Sequence, residues 1–98
     1  MPQSDTETLI KTDVRKPSLF QVVLLNDDFT PMDFVVQILQ AIFHKSNSEA
    51  TEIMLTIHNS GQGICGVYSY EVAEAKVLQV SDMAAKQEYP LQCKIERS

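Results

Sequence analysis

The chain has 98 residues, enough for one domain and too few for a catalytic α/β barrel or a doubly wound nucleotide-binding fold. Hydrophobic residues make up 44% and charged residues 21%, a globular rather than a disordered composition. Thirteen acidic against eight basic residues leave a net charge of -5, which repels phosphate backbones and favours a positively charged ligand over nucleic acid.

Residues 1–17 are polar, with Leu9-Ile10 as their only aliphatic pair, and predict a flexible N-terminal tail ahead of a core domain over 18–98. The first residues lack the basic flank and apolar stretch of a secretory signal. No apolar run approaches the ~20 residues of a membrane span. Cys65 and Cys93 sit among apolar residues without Cys-x-x-Cys spacing, so two reduced core thiols in a cytoplasmic protein are expected.

Leu19–Leu25 is short and rich in β-formers, and predicts a strand buried on nearly both faces. Asn26-Asp27-Asp28 ends it in a turn. Thr30-Pro31-Met32-Asp33 reads as a helix start, with Thr30 as the cap, Pro31 at the first helical position and Asp33 where a capping box wants an acid. Val35, Ile38, Leu39 and Ile42 follow at helical spacing, flanked by Phe34 and Phe43. Ser46-Asn47-Ser48-Glu49 offers a second capping box, and Ala50, Ile53, Met54, Ile57 and His58 then share one helix face. Gly61 and Gly63 end that helix. Gly63–Tyr68 predicts a strand, Ser69 caps a third helix running to about Gln87, and its stripe is Ala73, Val77, Val80 and Ala84. Tyr89-Pro90 closes the helix. Leu91–Glu96 alternates as a strand with one wet face. The order β-α-α-β-α-β implies an α+β fold, a two-layer α/β sandwich in which three helices cover a three-stranded antiparallel sheet.

Two features carry the chemistry. Asn26-Asp27-Asp28 taken alone is a polar turn, and His58 taken alone is a core histidine. Together they supply an amide oxygen, a carboxylate and an imidazole nitrogen, all hydrogen-bond acceptors, beside an apolar helix face. That set suits a small ammonium with three donors, such as a free peptide α-amino group. Catalysis is disfavoured, because adjacent Asp27 and Asp28 diverge on an extended segment and no Ser or Cys has a base beside it. One His and two Asp make no metal signature, and His44 at the end of the first helix faces solvent. No metal or cofactor is expected.

Five segments resemble the ClpS adaptor family. Asn26–Val35 (NDDFTPMDFV) is similar to its NDDYTPMEFV signature, and Ala50–His58 to its second-helix motif. Ile64–Tyr68 resembles ICGVF, Glu71–Val77 resembles EVAETKV, and Tyr89–Cys93 resembles the closing HPLLC. The resemblance runs collinearly over about residues 19–96. It implies a monomeric, non-enzymatic bacterial adaptor that binds N-end rule substrates with an N-terminal Leu, Phe, Tyr or Trp. It implies delivery to the N-terminal domain of a ClpA- or ClpC-type AAA+ unfoldase for degradation by ClpP. Carried over by position, Asn26, Asp28 and His58 would hold the α-amino group. Asp27, Thr30, Met32, Val35, Met54, Ile57 and Leu91 would form the hydrophobic pocket, with Met32 as the gate against β-branched side chains. Glu71 and Lys76 would face the unfoldase. The chain departs from the family pattern at Phe29 for Tyr, at Asn59 and Gln62-Gly63, at Tyr70 beside Glu71, and at Gln87. The rival classes are a ribosomal-stalk-like interaction module, which has no need of the turn acids together with His58, and a small hydrolase, which zero turnover on peptide and ester substrates would dispose of.

Overall fold

The computed structural model describes residues 18–98, so the expected tail lies outside the described residues. The elements are β1 (Phe20–Leu25), α1 (Met32–Ala41), α2 (Asn47–Ser60), β2 (Gln62–Tyr68), α3 (Tyr70–Lys86) and β3 (Gln92–Arg97). Their order, the antiparallel three-stranded sheet and the three covering helices match the expected fold class.

β1 is the middle strand of the order β2-β1-β3. Its composition explains this, since a central strand is shielded by neighbours as well as by helices. Val22 and Leu24 face the helices and join Ile38, Leu39, Ala73 and Val80 in the core. Val23 points to the other face yet is only 1% exposed, with Ile64 of β2 and Lys94 of β3 beside it in register. β2 carries one extra residue: Val22 pairs with Gly66 but Val23 with Ile64, which leaves Cys65 as a bulge. Burial pushes the Cys65 thiol up to about 12 and the half-buried Cys93 thiol up to about 11. Both stay protonated near neutrality and act as small apolar fillers.

The start of α1 corrects the sequence reading. The helix begins at Met32, and Pro31 occupies the cap position with extended backbone and no side-chain cap. Thr30 does not cap. Its hydroxyl donates to Asp27 Oδ2 at 2.7 Å, because the Asp27 carboxylate folds back over its own turn and engages that hydroxyl first. The α2 start is as expected. Glu49 N–H donates to Ser46 Oγ (3.1 Å) and Ser46 N–H donates to Glu49 Oε1 (3.0 Å), closing a capping box. Ser69 caps α3, whose Val72 N–H donates to its hydroxyl at 3.4 Å. That helix ends at Lys86, one residue before the expected limit, and Glu88 then turns through a left-handed φ of 61°. Of the α3 stripe, Ala73, Val80 and Ala84 are buried and Val77 is half-buried.

Two glycines fix how α2 meets the sheet. Gly61 closes the helix at φ 92°, the left-handed region, with no atom within 4 Å of a would-be Cβ. A Gly61→Ala variant should therefore lose stability through backbone strain alone, about 1–2 kcal/mol, read as a lower urea midpoint. An unchanged midpoint would refute that reading of the turn. At Gly63 a Cβ would lie 2.8 Å from Ile57 Cγ1, so β2 approaches α2 closely only because the side chain is absent.

Candidate functional site

A backbone hydrogen bond assembles the site. Asn26 N–H, just past β1, donates to the Gly61 carbonyl at the end of α2 (2.9 Å), and Leu25 pairs with Gln62 directly beyond. The turn after the first strand is thereby stitched to the C-terminal end of the second helix. His58 lies within the last turn before Gly61, so this stitch brings two segments more than 30 residues apart in the chain to one place.

Between them is a cavity of about 360 Å³ lined by Asn26, Asp27, Asp28, Phe29, Thr30, Pro31, Met32, Val35, Met54, Ile57 and His58. Its volume is at the small end of ligand sites, the size of one amino-acid residue rather than of a large cofactor. Val35 and Ile57 are buried and Met54 half-buried, forming an apolar floor, while Asn26, Asp28 and His58 stand exposed around it. Met32, 46% exposed at the start of α1, lines the cavity with a flexible thioether side chain. Among the described residues no Lys or Arg lines the cavity, so its local charge comes from Asp27 and Asp28.

The two aspartates differ. Asp27 is committed to its own turn: Oδ1 accepts from Phe29 N–H (2.8 Å) and Thr30 N–H (2.7 Å), and Oδ2 accepts from the Thr30 hydroxyl. Partial burial pushes the Asp27 carboxyl up, but the hydrogen bonds from the Thr30 hydroxyl and the Phe29 and Thr30 amides outweigh it and hold the group below its ordinary value. Asp28 stands exposed at the cavity, outside this network. Asp27 therefore builds the rim, and Asp28 is the carboxylate available to a ligand.

Nine of the ten residues proposed for amino-group and side-chain contacts line this cavity. Leu91 does not. It is 5% exposed and lies in the core just before β3, on the same alternating face as Cys93 and Ile95. Phe29 and Pro31 line the cavity but were not among the expected pocket residues; their position inside the NDD-to-Met32 segment was the available signal. Glu71 and Lys76 lie on α3, away from the lining. Glu71 is exposed in the first helical turn. The Lys76 ammonium donates to the Ile42 carbonyl at 2.7 Å and lies 5.7 Å from the Tyr68 ring centre, tying α3 to the end of α1.

Among the described residues no group of three or more His, Cys, Asp or Glu could hold a metal ion, and no helix is long and apolar enough to cross a membrane. Residues 15–94 match the family model described as "ATP-dependent Clp protease adaptor protein ClpS". A relative from Hyphomonas neptunium, named ATP-dependent Clp protease adapter protein ClpS, is 60% identical over 92 residues, covering 94% of this chain and 76% of that one. A relative of the same name from Caulobacter vibrioides is 53% identical over 94 residues, covering 96% of this chain and 86% of that one. Agrobacterium tumefaciens ClpS2, solved bound to L-phenylalaninamide, superposes with a TM-score of 0.82 at 34% identity, covering 85% of this chain and all of that one. The chain belongs to the ClpS family, adaptor proteins of the ATP-dependent Clp protease.

Proposed function

We propose that the cavity captures the free N-terminus of a substrate protein of the N-end rule, taking a Leu, Phe, Tyr or Trp side chain inside and holding the α-amino group outside on Asn26, Asp28 and His58. The carrying observation is the convergence of these three acceptors around one residue-sized apolar cavity. An ammonium offers three donors to that set; each charge-assisted bond contributes ~1.5–3 kcal/mol, and burial of a large apolar side chain about as much again. Phenylalaninamide, held by the Agrobacterium relative, has both parts, a free amino group and a benzyl side chain. The adaptor then hands its cargo to a ClpA- or ClpC-type unfoldase, through the unfoldase's N-terminal domain and a surface that includes Glu71 and Lys76, for degradation by ClpP. This is a binding role rather than a catalytic one, exercised in the cytoplasm.

A panel of peptides that differ only in their first residue tests the proposal. Phe, Leu, Tyr and Trp should bind, whereas Val and Ile should not, because their branch at Cβ meets Met32 at the opening. Met32→Ala should admit Val and Ile, and calorimetry that showed no gain would reject Met32 as the gate. Binding of every first residue with equal affinity would reject the pocket itself.

A further inference from the structure

We propose that the Met32 thioether is an oxidation site that switches cargo capture: a peroxide converts it to the sulfoxide and weakens binding of an apolar chain end, and reduction restores it. The inference rests on the N-terminal-capture reading and adds regulation to that same site.

Sulfur among the described residues sits in Cys65, Cys93, Met32, Met54 and Met83. The two thiols, the usual redox groups, are out of play. Cys65 is 1% exposed, Cys93 is half-buried, and neither lines the cavity. Burial also keeps both protonated near neutrality, whereas the thiolate is the form that reacts. A thioether has no proton to lose, so it is oxidised near neutrality wherever an oxidant can reach it. Met54 and Met83 are half-buried and packed against the core. Met32 is the exposed methionine, and it lines the cavity. The sulfur most open to an oxidant therefore belongs to the residue that bounds the proposed binding site.

Hydrogen peroxide suffices as the oxidant. A sulfur lone pair attacks one peroxide oxygen, the S–O bond forms as the O–O bond breaks, and the sulfur gives up two electrons. The departing hydroxide takes the remaining hydroxyl proton and leaves as water. The product carries a strongly polar oxygen where the side chain was apolar. The cavity floor of Val35, Met54 and Ile57 offers that oxygen no donor, the Thr30 hydroxyl is committed to Asp27 Oδ2, and no Lys or Arg lines the space. Once an apolar side chain enters, the sulfoxide is either stripped of water without a new partner or swung out to solvent, which removes part of the wall. Both outcomes weaken capture. Methionine sulfoxide reductases, drawing two electrons from a pair of thiols, return the thioether and release water, so the change is reversible.

Graded treatment of the full chain with hydrogen peroxide decides the matter, with each methionine mapped by mass spectrometry and binding of a Phe-initiated peptide read by fluorescence anisotropy. Met32 should oxidise before Met54 and Met83, and affinity should fall about five- to fifty-fold in step with Met32 sulfoxide, the range expected for a desolvated polar atom without a partner. Methionine sulfoxide reductase should restore it, and bound peptide should slow Met32 oxidation. With each protein compared with its own untreated sample, Met32→Leu should lose no affinity on treatment and Met54→Leu should lose as much as wild type. A wild type whose Met32 is fully oxidised yet binds as before, or a loss that tracks Met54 sulfoxide or persists in Met32→Leu, overturns the switch and leaves the pocket reading standing. An untreated wild type that does not bind the peptide overturns the pocket reading, and the switch with it.

Discussion

An Asp28→Ala variant is expected to bind a Phe-initiated peptide about 10- to 100-fold more weakly than wild type while its circular dichroism and urea midpoint stay unchanged. The two halves of that result have separate causes. Asp28 is exposed and outside the hydrogen-bond network of the turn, so the fold does not depend on it, and removal of such a side chain shifts stability by no more than about 0.5 kcal/mol. For a bound ammonium it is the available carboxylate, and loss of one charge-assisted hydrogen bond costs ~1.5–3 kcal/mol. Asp28→Asn should fall between the two, because an amide oxygen still accepts but carries no charge. Full affinity in Asp28→Ala would mean that the amino group, if held at all, is held elsewhere.

Asp27→Ala is expected to produce the opposite division, a loss of stability together with a loss of binding. Its carboxylate satisfies two backbone amides and one hydroxyl, so its removal leaves three donors to find water and frees the turn from Phe29 to Pro31. Such a loss costs about 1–2 kcal/mol of stability. Affinity should fall as well, since Thr30, Met32 and the rest of the rim are placed by this turn. The pH dependence has a definite sign. The folded-state Asp27 is held below its ordinary value, so its contribution is present above about pH 4 and is lost only as pH falls through the lower folded value. Binding carried by the ordered turn should therefore persist through mild acid in so far as it depends on Asp27. A urea midpoint for Asp27→Ala equal to that of wild type would contradict this assignment.

Much of the fold was readable because local signals agreed. The Val-Val-Leu-Leu run of β1, the Ser46–Glu49 box and the Ser69 cap each left one physical choice, and each element formed where its residues pointed. The start of α1 was ambiguous because Asp27, Thr30 and Pro31 can each begin a helix or close a turn. Only the structure shows that Asp27 takes the Thr30 hydroxyl first and leaves Pro31 at the cap. The bulge at Cys65 was equally hidden, since it depends on the pairing of β1 with β2 and not on the sequence of either strand.

The site divides in the same way. Asn26, Asp28 and His58 could be suspected from donor and acceptor chemistry, but they meet through the pairing of β1 with β2 and the Asn26 N–H bond to the Gly61 carbonyl, which no spacing reveals. Leu91 illustrates the limit of positional transfer. It belongs to a motif associated with the pocket, but just before β3 it is buried in the core, on the same alternating face as Cys93 and Ile95. Phe29 illustrates the reverse, a residue noticed only as a departure from the family pattern whose exposure at the rim becomes visible in three dimensions.

The central claim is that a free, charged chain end is what the cavity holds. Titration of the protein with one fluorescent Phe-initiated peptide, unmodified and N-acetylated, addresses it directly, because acetylation removes the positive charge and two donors but leaves the aromatic side chain intact. The unmodified peptide should bind saturably and the acetylated one not at all at the same concentrations. Equal affinity for the two would contradict it.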